Sequence, residues 1–578
     1  MPTILVQKSD LESLLGGVVE VPALARELES AKAEVKGFDP ATGELKIELN
    51  DTNRPDLWSP PGLARHLRIA RSGTAPVYGF FAPPAGAGGN GGDAGPEIHV
   101  DPALETIRPF VAGFLARGAP LSDAGLKSLI QSQEKLAEGY GRKRRAVAIG
   151  AYRAAEIRFP IAYRAADPAR ERYIPLGFDQ PLLLSQILAE HPKGQEYGHL
   201  LRGSPRYPLL VDAGGDVLSM PPIVNSQGLG AVAVGDKDLF VEVTGPDLRA
   251  LLLALNIAAV DLADRGARIE PVTVVYPYDT PFGRRVRTPL DFSAPLPIPR
   301  DLIPQLLGEA LSDQEVSAGL ERSGYRSISV PSRGQITVTP PAYRDDILHP
   351  VDVIEDVAIA RGFDTFEPIL PEEFTVGRLS REQMLGRQLT ELMLGAGYQE
   401  VISNILTARE LLVDRMGRTD SEANLVEIEN VMSANYAVLR DAIVPSLLAV
   451  EAVSSQALYP HRMFEVGEVS TLDPERILGT KTPFLLGALV AHPEATFSEL
   501  HAVLDTLLYY LGLDYVLEPV AHPSCLPGRA GRILTSGQDA GWIGEIAPAC
   551  LERWGIAVPA SAFELDMAVL LTAGDGRR

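Results

Sequence analysis

The chain has 578 residues, of which 46% are hydrophobic and 22% charged, an ordinary composition for a globular protein and enough for about three to five domains. Its net charge of −22 argues against nucleic-acid binding through an overall basic surface, but is compatible with a local basic patch or a basic partner. The two cysteines, Cys525 and Cys550, exclude a disulfide framework and a zinc-binding spacing, which favours a cytoplasmic location.

Residues 1–81 are predicted to form a mixed α/β domain whose first residues do not resemble a signal peptide. Ser9 and Glu12 form a capping-box pattern for a helix ending at Gly16. A strand is predicted at 45–49, and Ser59 is predicted to cap a second helix. Residues 82–96 are rich in Gly, Ala and Pro, cannot bury apolar area, and are predicted to be a linker.

Residues 97–275 mix helical and strand patterns, with a predicted hairpin over 209–218 and a strand over 239–243. A long helix should follow, ending at Gly266. Its apolar stretch is interrupted by Asn256 and is too short to span a bilayer, so no membrane association is expected.

A cationic run, Arg142-Lys143-Arg144-Arg145, precedes a predicted strand at 146–150. It is interpreted either as a solvated loop or, slightly in preference, as a patch that faces phosphates.

Residues 288–366 are predicted to form a small DNA-binding-like domain of winged-helix type. Ser312 and Glu315 form a capping box, and a hairpin with a turn at 331–334 would make the wing. Fold alone does not establish function for such a domain.

The most informative segment is the acidic helix start at 343–357, in which Pro350 suits the first helical position. Asp352, Glu355 and Asp356 would share one face, and Asp346 precedes them. One interpretation is structural, since acids at a helix N-terminus stabilise it by roughly 0.3–1 kcal/mol each. The other is a Mg²⁺ site, shared or outer-sphere, because Mg²⁺ typically uses only one or two carboxylates.

The last block, residues 367–578, carries a helix capped by Ser380 and four predicted strands at 401–406, 462–466, 482–491 and 541–546. This pattern predicts an antiparallel sheet with helices on one side, so the whole chain is predicted to be an α+β multidomain protein.

Five stretches in order resemble the beta subunit of phenylalanine–tRNA ligase, in its archaeal and eukaryotic-cytosolic form. They cover nearly the whole chain and are residues 8–16, 53–57, 220–226 with 240–245, 343–357, and 461–468. The resemblance implies a partner alpha subunit in an (αβ)₂ heterotetramer, which uses ATP to attach phenylalanine to tRNA(Phe).

The resemblance also implies roles for the acidic segment. In this family the equivalent acids bind Mg²⁺ in a site shared with the alpha subunit, and by position they are Asp346, Asp352, Glu355 and Asp356. Asp345 does not match the pattern and is expected to be only a neighbour.

Residues 97–275 are similar to the family's editing domain, which hydrolyses tRNA mischarged with tyrosine. Glu242 is the candidate acceptor for the tyrosine phenol, with Thr244, Ser226 and Asn225 lining the pocket. The structural alternative makes Asn225-Ser226 a turn and Glu242 a solvated strand residue. The basic loop 142–145 would then meet the tRNA backbone.

Residues 367–578 resemble a class II synthetase core that has lost its chemistry and builds the subunit interface. Arg462 and Glu465 retain part of the second class motif, but the third motif and its arginine are not visible, so no residue of this chain is expected to catalyse aminoacylation. Two other functions are considered. One is a stand-alone Mg²⁺-dependent hydrolase, for which His349 is the only nearby base, and the other is a binding scaffold.

Overall fold

The computed structural model describes residues 2–82, 95–330, 334–419, 424–454 and 456–575. The chain divides into two compact units, Met1–Ile369 and Leu370–Arg578. Most of the predicted linker (residues 83–94) and of the predicted wing turn (331–333) lies outside the described residues.

The first unit begins with a three-stranded antiparallel sheet of order β1-β3-β2, covered by three helices. The elements are β1 (Thr3–Gln7), α1 (Lys8–Leu15), α2 (Val21–Glu27), β2 (Ala33–Asp39), β3 (Glu44–Leu49) and α3 (Pro60–Ser72). The Ser59 cap is confirmed, because its Oγ accepts a hydrogen bond from the Gly62 N–H at 3.0 Å.

The predicted capping box at the first helix is wrong. Gln7 is the N-cap of α1 and makes no side-chain capping bond. Glu12 instead accepts from Lys8 Nζ at 2.5 Å and from the Val19 N–H at 3.0 Å. Its carboxylate therefore links the helix to the chain that follows it. The helix ends at Gly16 as predicted, with φ of 72°.

A ten-stranded sheet dominates the middle of the first unit, in the order β12-β11-β10-β7-β4-β14-β5-β13-β6, with β15 paired to β14. Its elements, together with the separate β8–β9 pair, are β4 (Glu97–Val100), β5 (Phe110–Arg117), α4 (Asp123–Lys135), β6 (Ala148–Arg153), β7 (Ile161–Ala166), β8 (Arg172–Tyr173), β9 (Leu182–Leu183), α5 (Leu184–Glu190), α6 (Pro192–Tyr197), β10 (Tyr207–Val211), β11 (Val217–Met220), β12 (Val224–Asn225), α7 (Gln227–Gly230), β13 (Leu239–Gly245), α8 (Leu248–Asp264), β14 (Arg268–Val275) and β15 (Arg285–Thr288). The predicted hairpin is confirmed as β10–β11.

Helix α8 is apolar on nearly all sides and is buried accordingly. One side packs on the sheet through residues such as Leu251 and Leu255, and another packs on the N-terminal block through Leu253 and Ile257. Asn256 is fully buried, and its Nδ2 donates to two carbonyl oxygens, of Leu290 and Ala342, both at 2.8 Å. The polar residue that interrupts the apolar stretch therefore fastens the helix to the chain that leads into the next block.

The small block that follows has a three-stranded sheet of order β16-β18-β17. Its elements are β16 (Leu296–Pro299), α9 (Leu302–Leu307), α10 (Asp313–Arg322), β17 (Arg326–Ser329), β18 (Gln335–Thr339) and α11 (Pro350–Arg361). The Ser312–Glu315 capping box, the hairpin strands and Pro350 at the start of α11 are confirmed.

The second unit is built on a seven-stranded sheet of order β19-β23-β26-β30-β29-β28-β27, in which only the β19–β23 pair is parallel. Its elements, including two small separate sheets, are α12 (Arg381–Gly395), β19 (Gln399–Glu400), β20 (Leu406–Thr407), α13 (Arg409–Leu412), β21 (Val426–Glu427), β22 (Val438–Leu439), α14 (Val444–Val453), β23 (His461–Glu468), β24 (Thr471–Leu472), β25 (Thr480–Lys481), β26 (Phe484–Ala491), α15 (Phe497–Leu511), β27 (Tyr515–Pro519), β28 (Cys525–Thr535), β29 (Gln538–Ile546), α16 (Pro548–Trp554), β30 (Ala560–Asp566) and α17 (Met567–Asp575).

The mixed α+β architecture agrees with the prediction, and three of the four strands predicted in this unit are present. The helices expected on one side of the sheet lie on both, with α12, α15 and α17 on one face and α14 and α16 on the other. The strand predicted at 401–406 is wrong, since only Leu406 there belongs to a strand, β20. Its alternating apolar residues lead out of the sheet, and Ile402 is exposed. Among the helices of the described ranges, none combines the length and the apolar composition that crossing a membrane requires.

Candidate functional site

Strand β13 places a carboxylate inside the large sheet of the first unit. The strand pairs with β5 on one side and β6 on the other, and all seven of its residues are buried. Glu242 and Thr244 stand two residues apart and so lie on the same face. Only 3% of Glu242 is exposed, which excludes the solvated strand residue of the structural alternative.

Glu242 is only partly satisfied by hydrogen bonds. Its Oε1 accepts from the Tyr152 hydroxyl at 2.8 Å, and that hydroxyl lies 2.8 Å from Ser219 Oγ. Its Oε2 is buried with no hydrogen-bond partner in the described part of the chain. A buried acceptor without a donor is costly, and such atoms often mark a place where a ligand supplies the missing group.

Burial raises the pKa of the Glu242 carboxyl to about 7, against the lowering effects of the Tyr152 hydrogen bond and the positive charge of Arg108. Near neutral pH the group therefore exists in both protonation states. It can accept a hydrogen bond strongly when ionised.

A cavity of about 430 Å³ opens at Glu242. Its wall includes Ser219, Asn225 and Arg144 as polar residues, together with apolar residues such as Ile149 and Val232. Its size is typical of small-molecule sites.

Of the four predicted pocket residues, Glu242 and Asn225 line this cavity, and Ser226 and Thr244 do not. The Ser226 hydroxyl caps the short helix α7, accepting from the Leu229 N–H at 3.4 Å. The Thr244 hydroxyl accepts from Arg108 Nε at 3.0 Å. Both side chains therefore support the walls.

Tyr152, Ser219 and Arg108 were not predicted as site residues, because they reach the site from strands and loops distant along the chain. A signal was present at Gly150, since a glycine inside a strand often marks a close approach. An added Cβ there would lie 2.2 Å from the Tyr152 hydroxyl oxygen and 2.6 Å from Glu242 Oε1.

The basic loop 142–145 lies at the rim of the cavity. Arg142, Lys143 and Arg144 all have positive φ, between 51° and 62°, a conformation that non-glycine residues adopt at a cost. Arg144 is held inward: its Nη1 donates to the carbonyl oxygens of Pro222 and Ile223, at 3.1 and 2.8 Å, and its guanidinium lies 4.2 Å from the ring centre of Tyr197.

The acidic segment forms a second candidate site. Arg344, almost fully buried, binds two of the predicted ligands: Asp346 through two hydrogen bonds of 3.0 and 2.6 Å, and Asp356 through one of 2.8 Å. Tyr325 also donates to Asp356 at 2.8 Å. Burial opposes ionisation of Asp346, but the charges of Arg344 and Arg54 outweigh it and hold the pKa of that carboxyl below its usual value.

The other two acids lie at the surface of helix α11. Asp352 accepts from the backbone N–H groups of Leu348 and His349, both at 2.8 Å, and Glu355 accepts from Lys32 Nζ at 2.6 Å. Asp345, expected to be a bystander, forms an ion pair with Arg249.

Within the described ranges, no three side chains of the metal-binding types come together. Asp346 and Asp356 are both paired with the buried Arg344, whereas Asp352 and Glu355 lie nearer the surface. Asp352 and Glu355, three residues apart on one helical face, fit the one or two carboxylates that Mg²⁺ normally takes from a protein.

In the second unit, Arg462 and Glu465 lie on β23. Arg462 Nη2 donates to Glu499 at 2.9 Å, and Glu465 forms a buried ion pair with Arg440 at 2.7 Å. Both charged groups therefore have partners inside the unit.

Comparison with known proteins agrees with this architecture. The family described as "Phenylalanyl tRNA synthetase beta chain CLM domain" matches residues 367–567, and the "tRNA synthetase B5 domain" matches residues 296–363. A solved N-terminal fragment of the phenylalanyl-tRNA synthetase beta subunit from Pyrococcus horikoshii is similar in structure, with a TM-score of 0.57 and 38% identity, covering 62% of this chain and 100% of the fragment. These matches define a chain of the aminoacyl-tRNA synthetase class.

Curated relatives narrow the assignment. The phenylalanine–tRNA ligase beta subunit of Treponema pallidum is 45% identical over 91% of this chain and 87% of its own length. That of Borrelia garinii subsp. bavariensis is 41% identical over 99% of this chain and 100% of its own length. The chain belongs to the family of phenylalanine–tRNA ligase beta subunits. This confirms the family predicted from the sequence, but the archaeal and eukaryotic-cytosolic form is not supported, because these relatives are bacterial.

Glu242→Gln should change how stability depends on pH. With a folded pKa of about 7 and an unfolded value near 4.5, the native chain binds more protons than the unfolded chain between these values, so Glu242 lowers stability as pH rises through this window. Relative to the wild type, the glutamine variant should gain about 2 kcal/mol of unfolding free energy between pH 5.5 and pH 8.

Urea unfolding of both proteins at the two pH values measures this difference. A difference between variant and wild type that stays constant with pH would show that Glu242 titrates normally in the folded protein.

Proposed function

We propose that this chain is the non-catalytic beta subunit of a phenylalanine–tRNA ligase, and that its Glu242 cavity hydrolyses tRNA mischarged with tyrosine. An alpha subunit would carry the ATP-dependent attachment of phenylalanine to tRNA(Phe), in a cytoplasmic (αβ)₂ heterotetramer. The observation that carries the editing role is the buried, unpartnered Oε2 of Glu242 at the wall of a cavity.

The chemistry of discrimination supports this role. Tyrosine differs from phenylalanine by one hydroxyl, which an apolar charging pocket excludes only weakly. A site whose buried acceptor needs a hydroxyl donor can favour tyrosine by about 10⁴–10⁵ in the best cases, because phenylalanine leaves that acceptor unpaired. Glu242 Oε2 is such an acceptor, and the Tyr152 and Arg108 side chains hold its surroundings in place.

The same domain offers a route for the tRNA. Arg142, Lys143 and Arg145 are exposed beside the cavity, while Arg144 anchors their loop. Phosphates approaching the cavity would meet these cations first, and we propose that they hold the acceptor end of the tRNA.

For the metal, we propose a Mg²⁺ site completed by the alpha subunit. Asp352 and Glu355 would supply its carboxylates, and Asp346 and Asp356 would act through Arg344 by holding the start of α11 in place. The ion would supply positive charge at the subunit boundary.

The partner requirement has a direct test. The purified chain alone should form no phenylalanyl-adenylate, because the charged groups of Arg462 and Glu465 are paired within the chain. Co-expression with an alpha chain should yield a complex with the mass of two copies of each and restore charging. Adenylate formation by the isolated chain would contradict the proposal.

The editing role predicts that Glu242→Ala in the assembled complex slows hydrolysis of tyrosyl-tRNA by about 10- to 100-fold, the effect of losing one charge-assisted hydrogen bond. Deacylation of labelled tyrosyl-tRNA measures the rate. Glu270→Ala is the matched control, because it removes a carboxylate of the same sheet that lies outside the cavity. Equal rates for wild type and Glu242→Ala would refute the assignment.

The metal proposal predicts that the pair Asp352→Asn and Glu355→Gln weakens Mn²⁺ binding to the complex by at least about tenfold, because no direct carboxylate ligand remains. Electron paramagnetic resonance of Mn²⁺, used in place of Mg²⁺, reports free and bound ion. Asp345→Asn, which breaks only an ion pair with Arg249, is the control. Undiminished affinity in the double variant would place the site elsewhere.

A further inference from the structure

Tyr152 is the side chain that hydrogen-bonds directly to the Glu242 carboxylate. It lies on β6 opposite Phe240, is fully buried, and packs its ring on that of Phe240 with centroids 5.9 Å apart. Its hydroxyl makes the one side-chain hydrogen bond that reaches the Glu242 carboxylate within the described ranges. One oxygen of the carboxylate that we propose recognises the substrate phenol is therefore already bound by a phenol of the protein itself.

The direction of this hydrogen bond follows from counting protons. A phenol carries one proton, and an ionised carboxylate can only accept. Tyr152 therefore donates to Glu242 Oε1, and Ser219, 2.8 Å from the Tyr152 oxygen, can donate its own proton to Tyr152. The donors run from Ser219 through Tyr152 to Glu242. Glu242 Oε1 therefore accepts a hydrogen bond, and Oε2 has no donor in the described part of the chain.

The backbone is adapted to this contact. Gly150 is the residue paired with Glu242 across the β13–β6 ladder. Any Cβ at that position would overlap both the Tyr152 hydroxyl and Glu242 Oε1, at 2.2 and 2.6 Å. The absence of a side chain at Gly150 therefore leaves room for the hydrogen bond between the phenol and the carboxylate.

We propose that Tyr152 is a positioning residue that sets the specificity of the editing site, by filling Glu242 Oε1 and fixing the carboxylate so that Oε2 alone faces the substrate phenol. The inference rests on the proposed function. Without Tyr152 the carboxylate has two open oxygens and freedom to rotate, and any water that follows can satisfy the acceptor in place of a substrate hydroxyl. Discrimination between tyrosyl- and phenylalanyl-tRNA then falls.

The test is Tyr152→Phe in the full complex with the alpha subunit, with deacylation of tyrosyl- and phenylalanyl-tRNA measured across pH 5.5 to 8.5. The ratio of the two kcat/KM values should fall at least tenfold. The midpoint of the pH dependence of that ratio should move to higher pH, because the Tyr152 hydrogen bond lowers the pKa of Glu242. A purely structural role would not move this midpoint.

Tyr276→Phe is the matched control. Tyr276 is also buried in the same domain, but its hydroxyl donates to the Val111 carbonyl oxygen at 2.5 Å and makes no hydrogen bond to Glu242. It should leave both the ratio and its pH midpoint unchanged.

Gly150→Ala provides a second variant, which displaces the phenol from the carboxylate while keeping both groups. It should lower the ratio in the same direction if Tyr152→Phe fails to assemble. An unchanged ratio and midpoint in an assembled Tyr152→Phe or Gly150→Ala complex would overturn the proposal for Tyr152 alone. Absence of tyrosyl-tRNA hydrolysis by the wild-type complex would instead overturn the editing function itself.

Discussion

The packing of helix α8 is the constraint on which the first unit depends. Its residues face the ten-stranded sheet on one side and the N-terminal block on another, so two hydrophobic clusters share one helix. Ion pairs also hold the C-terminal end of α8, because the buried Arg65 binds Asp261 at 3.0 Å and Asp264 at 2.7 Å. Removing one partner of such a buried pair leaves an uncompensated charge, which makes the arrangement costly to break.

That rigid platform explains how the sheet can keep a carboxylate in its interior. Strand β13 lies against α8 through Val241 and Val243, while Glu242 and Thr244 point to the opposite face. The strand cannot slip by one residue without exchanging these faces, so the register that buries the valines also sets the position of the carboxylate. Stability and the candidate site are thus consequences of the same alternation.

The acidic segment illustrates a different balance. Four carboxylates close in sequence could repel one another, but each has a partner. Arg344 donates hydrogen bonds to Asp346 and Asp356. Backbone N–H groups at the helix start donate to Asp352, and Lys32 pairs with Glu355. The cations come from outside helix α11, and Lys32 comes from the N-terminal block. The cluster is therefore also an attachment point between blocks of the first unit.

Local patterns were sufficient at most places where the physics is local, although the capping box predicted at Ser9 and Glu12 was wrong. The cap at Ser59, the capping box at Ser312 and Glu315, the hairpin β10–β11 and Pro350 at the start of α11 depend on neighbours within a few residues, and all were predicted.

The identity of Glu242 as a candidate came from resemblance. What the sequence could not supply was its environment: Tyr152 is 90 positions away, Ser219 contacts Tyr152 from strand β11, and Arg108 contacts Thr244 from the loop before β5. The same limit applies to Ser226 and Thr244, whose motif positions were suggestive but whose hydroxyls are used by α7 and Arg108. Sequence spacing therefore determined the elements and the family, and only the tertiary structure decided which oxygen of one carboxylate is left without a donor, because that depends on side chains brought together by the sheet.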